Sequence, residues 1–162
     1  MIANNVDLVA LGPGAHMQWL LGFHPHADER PCLICVSKTS AAFLMPALNA
    51  DGTRTNTDLP FYKWSDADGP EQAFGKLLGE LEIPENCRVV LDETMRADFA
   101  ALVQDARPNA KRNFTATTVG ALRMRKDDTE FQTLKENARI ADQAMKAGWA
   151  EMHAGMSELD VA

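Results

Sequence analysis

Four histidines and three cysteines are the side chains with which this chain could carry out proton-transfer, nucleophilic or metal chemistry. His16 stands in an apolar run. His24 and His26 share the polar stretch Gly22-Phe23-His24-Pro25-His26-Ala27-Asp28-Glu29-Arg30-Pro31, and His153 lies near the C-terminus. A metal centre needs imidazole and carboxylate ligands that converge within a few ångströms. The spacing offers none: there is no His-Glu-x-x-His, and no Ser/His/Asp or Cys/His arrangement can be assembled. Neither a catalytic residue nor a metal ligand is expected, and His16 is expected simply to sit on a helix.

Cys32-Leu33-Ile34-Cys35 has the spacing of a redox or zinc pair. Redox pairs sit at a helix N-terminus, whereas Pro31 to Val36 reads as a buried strand. Residues three apart on a strand point to opposite faces, so these sulfurs are expected to be core thiols that share neither a metal nor a bond. Three cysteines make no disulfide framework, and a cytoplasmic setting is expected. Gly12-Pro13-Gly14 begins like a dinucleotide fingerprint, but the third glycine position is Met17, so it reads as a tight turn.

The elements that would position these residues alternate. Val6 to Leu11 reads as a strand, Ala15 to Leu21 as a helix, and Leu33 to Val36 and Ala41 to Met45 as paired strands around Ser37–Ser40. Asn49 to Pro60 reads as turn-rich and polar, and Phe61 to Trp64 as a short strand. Pro70 to Leu81 reads as a helix with proline in its first turn, and Arg88 to Asp92 as a buried strand. Ala97 to Asp105 reads as a helix, Asn113 to Thr115 as a last strand, and Thr117 to Ala121 as a turn of helix. The alternation predicts an α/β layered domain, a mixed β-sheet flanked by helices, followed by one long C-terminal helix. That helix, from Asp127 to Met152, opens with the capping-box pair Asp127 and Glu130. Phe131, Leu134, Ala138, Ala141, Met145, Trp149 and Met152 make its apolar stripe.

Charge excludes some functions. The net charge of −7 argues against nucleic acid as a partner. No apolar run approaches the roughly 20 residues needed to span a bilayer, so no membrane role is expected. The acidity gathers towards the C-terminus: from Asp127 to Ala162 there are eight acids and three bases, the pattern of a solvated helix face.

Two segments carry a resemblance. Leu122-Arg123-Met124-Arg125-Lys126-Asp127-Asp128-Thr129-Glu130, followed later by Gly155-Met156-Ser157-Glu158, resembles the junction of the creatinase/prolidase/aminopeptidase P family, the pita-bread metallopeptidases. The family's usual Leu-Arg-x-x-Lys-x-x-x-Glu is present, with Asp127 where a serine is common. Trp19-Leu20-Leu21-Gly22-Phe23 stands where the family has Tyr-Leu-Thr-Gly-Phe after its first strand and turn.

The resemblance implies a creatinase N-terminal-like domain over residues 1–121. It implies that residues 122–162 form the junction and first helix of a pita-bread catalytic domain lying beyond this chain. The implied activity is that of an Xaa-Pro dipeptidase or aminopeptidase, with two divalent metal ions (Mn, Co or Zn) held in that catalytic domain. The implied partners are the catalytic domain, a second subunit of a homodimer, and a proline-containing peptide substrate. The N-terminal domain would serve dimerisation and place a loop over an active site. Phe23 would act there as an apolar wall and Arg30 as a carboxylate clamp; the alternative is a solvated loop in which Arg30 pairs locally with Asp28. His24 and His26 would be hydrogen-bonding groups of the type that ordinarily titrates nearest neutral pH. A creatinase-like C–N hydrolase and a non-enzymatic interaction module stay open as alternatives.

Overall fold

Strands that are apolar at every position need cover on both faces, and the central strands of this chain are of that kind. In the computed structural model, which describes residues 1–161, β1 (Leu8–Leu11) and β2 (Leu33–Val36) lie at the middle of a six-stranded sheet. β3 (Ala41–Pro46), β4 (Phe61–Trp64), β5 (Arg88–Leu91) and β6 (Lys111–Phe114) complete it in the order β4-β3-β2-β1-β5-β6. β2 is antiparallel to both neighbours; the pairs β1–β5, β5–β6 and β3–β4 are parallel. The expected mixed α/β sheet is therefore present.

The two-residue period of the strands sorts their side chains into two cores. Leu8, Ala10, Leu33, Cys35, Leu44, Val89 and Leu91 pack beneath α3 (Glu71–Glu80) and α4 (Ala97–Ala106), which contribute Phe74, Leu77, Phe99 and Val103. Val9, Leu11, Cys32, Ile34, Phe43, Met45 and Val90 face the other way. That second core takes Met17 from α1 (Ala15–Leu21), Ala50 from α2 (Ala47–Arg54) and Val119 from α5 (Val119–Met124). Cys32 and Cys35 thus fall on opposite faces, as the strand period requires. Burial pushes the Cys32 thiol up to about 12 and raises that of Cys35, so both stay protonated.

One stretch departs from expectation. Asn49 to Pro60, read as turn-rich, begins within α2. Asn49, Asp51, Gly52 and Thr53 are weak helix formers, so local preference argues against a helix there. Tertiary contacts override it. Ala50 and Thr53 are buried on one side of α2, and the Thr53 hydroxyl donates back to Asn49 O at 2.9 Å. Arg54 lies 3.7 Å from the Phe61 ring centroid and donates to Leu59 O at 2.9 Å.

The chain divides into two compact units, Met1–Met124 and Arg125–Ala162. The first includes α5, and with it Leu122 and Arg123 of the junction motif. The second is built on α6 (Asp128–Glu151), 24 residues or about 36 Å long. Asp127 caps it as expected: its carboxylate accepts from Glu130 N at 2.8 Å, and Glu130 accepts from Asp127 N at 3.1 Å. Phe131, Leu134, Met145 and Trp149 are exposed, and no described residue of that unit covers them. The unit ends with the short α7 (Glu158–Val161).

Candidate functional site

With β2 alone reversed, the carboxyl ends of β1, β3, β4, β5 and β6 share one edge, the place where open α/β sheets bind ligands. Two polar groups lie there. One is the loop from α1 to β2; the other gathers around the residues that follow β5 and β6.

The loop starts at Gly22. Its φ of 80° closes α1 in the left-handed conformation that glycine adopts without strain. Phe23 then folds back onto the core, its ring centroid 6.3 Å from that of Phe43. Pro25 is buried while His24 and His26 stay exposed. His24 Nδ1 lies 2.8 Å from Pro25 O. A carbonyl only accepts, so Nδ1 is the donor in this contact. Phe23, His24 and His26 line a cavity of about 420 Å³ together with Pro25, Asp28 and the α2 segment's Asn49, Gly52, Thr53 and Asn56. The α2 residues escape sequence reasoning because the helix itself does; only Ala50 and Thr53, three apart after Pro46, hint at it.

Arg30 is placed differently. Its Nε and Nη2 donate to the two oxygens of Asp66, at 3.1 Å each. Glu29 and Asp28 lie 3.3 and 3.9 Å from Nη1. Asp28 also accepts from Arg30 N at 2.8 Å. Of the two readings of Arg30, a clamp or a local partner of Asp28, the contacts match the second: the guanidinium is occupied by carboxylates of its own chain. It ties the loop to the segment after β4.

The second group centres on His16, which the sequence places on a helix and outside any cluster. The structure gives it one. His16, Asp92 and Glu93 bring a ligand atom each to within 4.8 Å of one another. His16 is only 5% exposed. Its Nδ1 is 3.0 Å from Arg123 Nη1, and Nε2 is 3.3 Å from Thr115 Oγ1. Thr115 Oγ1 is 2.7 Å from Glu93 Oε1, and Thr115 N donates to Glu93 at 3.1 Å.

The polarity of this chain of contacts is determined. A guanidinium can only donate, so Nδ1 accepts and the ring is neutral with its proton on Nε2. The Thr115 hydroxyl has one proton, which the Glu93 carboxylate takes, so Thr115 accepts from Nε2. Donation therefore runs Arg123 → His16 → Thr115 → Glu93. The carboxylates of Glu93 and Asp92 lie 3.7 and 4.0 Å from Nε2, too far for hydrogen bonds. Asp92 Oδ1 accepts from Thr94 N and Oγ1 at 2.8 and 2.6 Å, while its buried Oδ2 finds no partner among the described residues.

A divalent metal would need the Nε2 lone pair, which puts the proton on Nδ1, against Arg123. A ligating histidine instead donates its other N–H to an acceptor. The residues do not fit a divalent cation, still less a two-metal centre. Burial pushes the Glu93 carboxyl up, but hydrogen bonds from Thr115 and from its own backbone, together with its other surroundings, leave the group below its usual range.

Fold and sequence together define the class: the chain has the fold of a creatinase/prolidase N-terminal domain, and its similarity to dipeptidases extends over nearly its whole length. No family model matches the sequence. Among solved structures, a dipeptidase from Pyrococcus horikoshii OT3 is 27% identical, with a TM-score of 0.82 over 99% of this chain and 44% of its own. The prolidase from Thermococcus sibiricus is 21% identical, with a TM-score of 0.84 over 99% and 44%. The creatinase/prolidase N-terminal domain of an X-Pro dipeptidase from Streptococcus pyogenes matches 74% of this chain and 90% of its own, with a TM-score of 0.62 at 14% identity. The Bacillus subtilis (strain 168) protein YkvY, whose name marks it provisionally as a dipeptidase, is 26% identical over 147 residues. The chain spans 40% of YkvY and 44% of the two longer structures. Among the described residues no helix is long and apolar enough to cross a membrane.

Proposed function

We propose that this chain is the N-terminal domain of a metal-dependent Xaa-Pro dipeptidase or aminopeptidase, and that it serves dimerisation and shapes the entrance to an active site. The loop cavity carries this reading: Phe23 offers an apolar wall and His24 an exposed imidazole, at the sheet edge of a fold shared with dipeptidases. Hydrolysis would belong to a pita-bread catalytic domain holding two divalent ions (Mn, Co or Zn), since the one ligand cluster among the described residues does not fit them. Phe23, His24 and His26 would border the peptide, with Arg30 anchoring the loop that presents them. Three buried thiols, an odd number, support a cytoplasmic setting.

The test is hydrolysis of an Xaa-Pro dipeptide with added manganese by the protein that contains this chain. His24→Ala is expected to lower kcat/KM about tenfold, roughly 1.4 kcal/mol of lost interaction. No dipeptide hydrolysis, alongside cleavage of a guanidino C–N bond, would move the protein to the creatinase-like reading. No hydrolysis of either would leave an interaction module.

A further inference from the structure

On the face of the sheet opposite α1 and α2, a groove of about 620 Å³ runs between α3 and α4. Its apolar part comes from Pro31, Phe74, Gly75, Ala101, Leu102 and Ala106. Around them stand four carboxylates, Glu29, Glu71, Asp98 and Asp105, against a single guanidinium, Arg107. That guanidinium is already spent: it donates to Ile83 O at 3.0 Å and Ala106 O at 2.8 Å and lies 3.5 Å from Glu85. Asp98 is paired with Arg96, and Glu29 shares Arg30 with Asp28 and Asp66. Glu71 and Asp105 have no basic partner among the described residues.

Gly75 sharpens the picture. It sits inside α3, where glycine costs helix stability relative to alanine. A Cβ built there meets nothing within 4 Å, so packing within the fold does not demand the glycine.

We propose that this groove docks a basic amphipathic peptide segment of a partner protein, its apolar side chain seated over Gly75 and its lysine or arginine meeting Glu71 and Asp105. Charge complementarity selects this occupant: an apolar floor inside an excess of carboxylates rejects acidic segments and favours cationic ones. The site is separate from the loop cavity and does not rest on the peptidase reading.

The probe is a dye-labelled helical dodecapeptide of leucine and lysine, titrated into this chain by fluorescence anisotropy, with a leucine/glutamate peptide as control. The lysine peptide alone should bind, and its affinity should fall as salt rises. Gly75→Phe, which fills the groove and keeps every charge, should weaken binding at least tenfold. Glu71→Gln with Asp105→Asn should weaken it severalfold and flatten the salt dependence. Circular dichroism and thermal melting check that Gly75→Phe folds; if it does not, Ala101→Phe fills the groove from α4 instead. Unchanged binding in the groove-filled variant would overturn the proposal, as would equal binding of the glutamate peptide. Self-association that Gly75→Phe abolishes, without any peptide binding, would give the groove to a second copy and overturn it too.

Discussion

The two histidine-bearing regions at the carboxyl edge of the sheet treat the same side chain in opposite ways. His16 is buried, and both ring nitrogens are committed, one accepting from Arg123 and one donating to Thr115. His24 and His26 stand on the exposed rim of a cavity, and His24 commits only Nδ1, to Pro25 O. A buried polar group must find fixed partners or cost the fold stability. An exposed one is satisfied by water, which a ligand can displace. The richer cluster of ligand-type atoms is therefore the structural one, and the sparser loop is free for recognition.

The comparison can be broken by mutation, beginning with the residue that supports the loop. Phe43 contacts Phe23 at 6.3 Å and Phe61 edge-on at 5.6 Å. Phe43→Ala is expected to cost about 3–5 kcal/mol in urea denaturation and to raise hydrogen exchange in residues 22–31. Loss of stability with the loop unchanged would show that the loop does not depend on this packing.

His16→Leu should cost about 1–3 kcal/mol, because it removes a buried acceptor of Arg123 and leaves Thr115 without its donor. His16→Gln sharpens the point. An amide has one acceptor and one donor end, so it can restore both contacts and should cost less than the leucine variant. Equal costs would rule out the directed chain of donation.

The acid limb of stability gives a smaller effect. The Glu93 carboxyl is held below its usual value in the folded state. Its contribution is then present above the unfolded value and is lost as pH falls through the folded one. Glu93→Gln should make the decline of stability below about pH 4.5 shallower, measured as melting temperature against pH. An unchanged acid limb would show that the folded surroundings of Glu93 do not favour its charged form.

The smallest effects belong to the loop. His24→Ala and His26→Ala should each change stability by less than about 0.5 kcal/mol. A cost matching that of His16→Leu would erase the contrast between the regions.

Much of the fold could be read along the chain because its signals are local. The apolar strands, the period-two sorting of Cys32 and Cys35, and the capping box at Asp127 each follow from neighbouring residues. The α2 helix was illegible because its residues are weak helix formers, and it is held instead by burial of Ala50 and Thr53 and by Arg54 against Phe61 on the following strand. In the candidate site, the loop and its histidines were visible as a polar break between apolar runs. Pairing of Arg30 with Asp28 was legible as an alternative, but its hold on Asp66 was not, since that residue lies 36 positions away.

By itself, then, the sequence determined most of the strands and helices, which faces they bury, and the two segments that carry the family resemblance. Tertiary structure decided what each polar side chain is for. His16 meets Thr115 and Arg123 across 99 and 107 residues, and such partners exist only once the sheet has brought β1, β5 and β6 side by side. Most secondary structure here, α2 excepted, is settled by near neighbours, whereas the availability of a functional group depends on whatever the fold places against it.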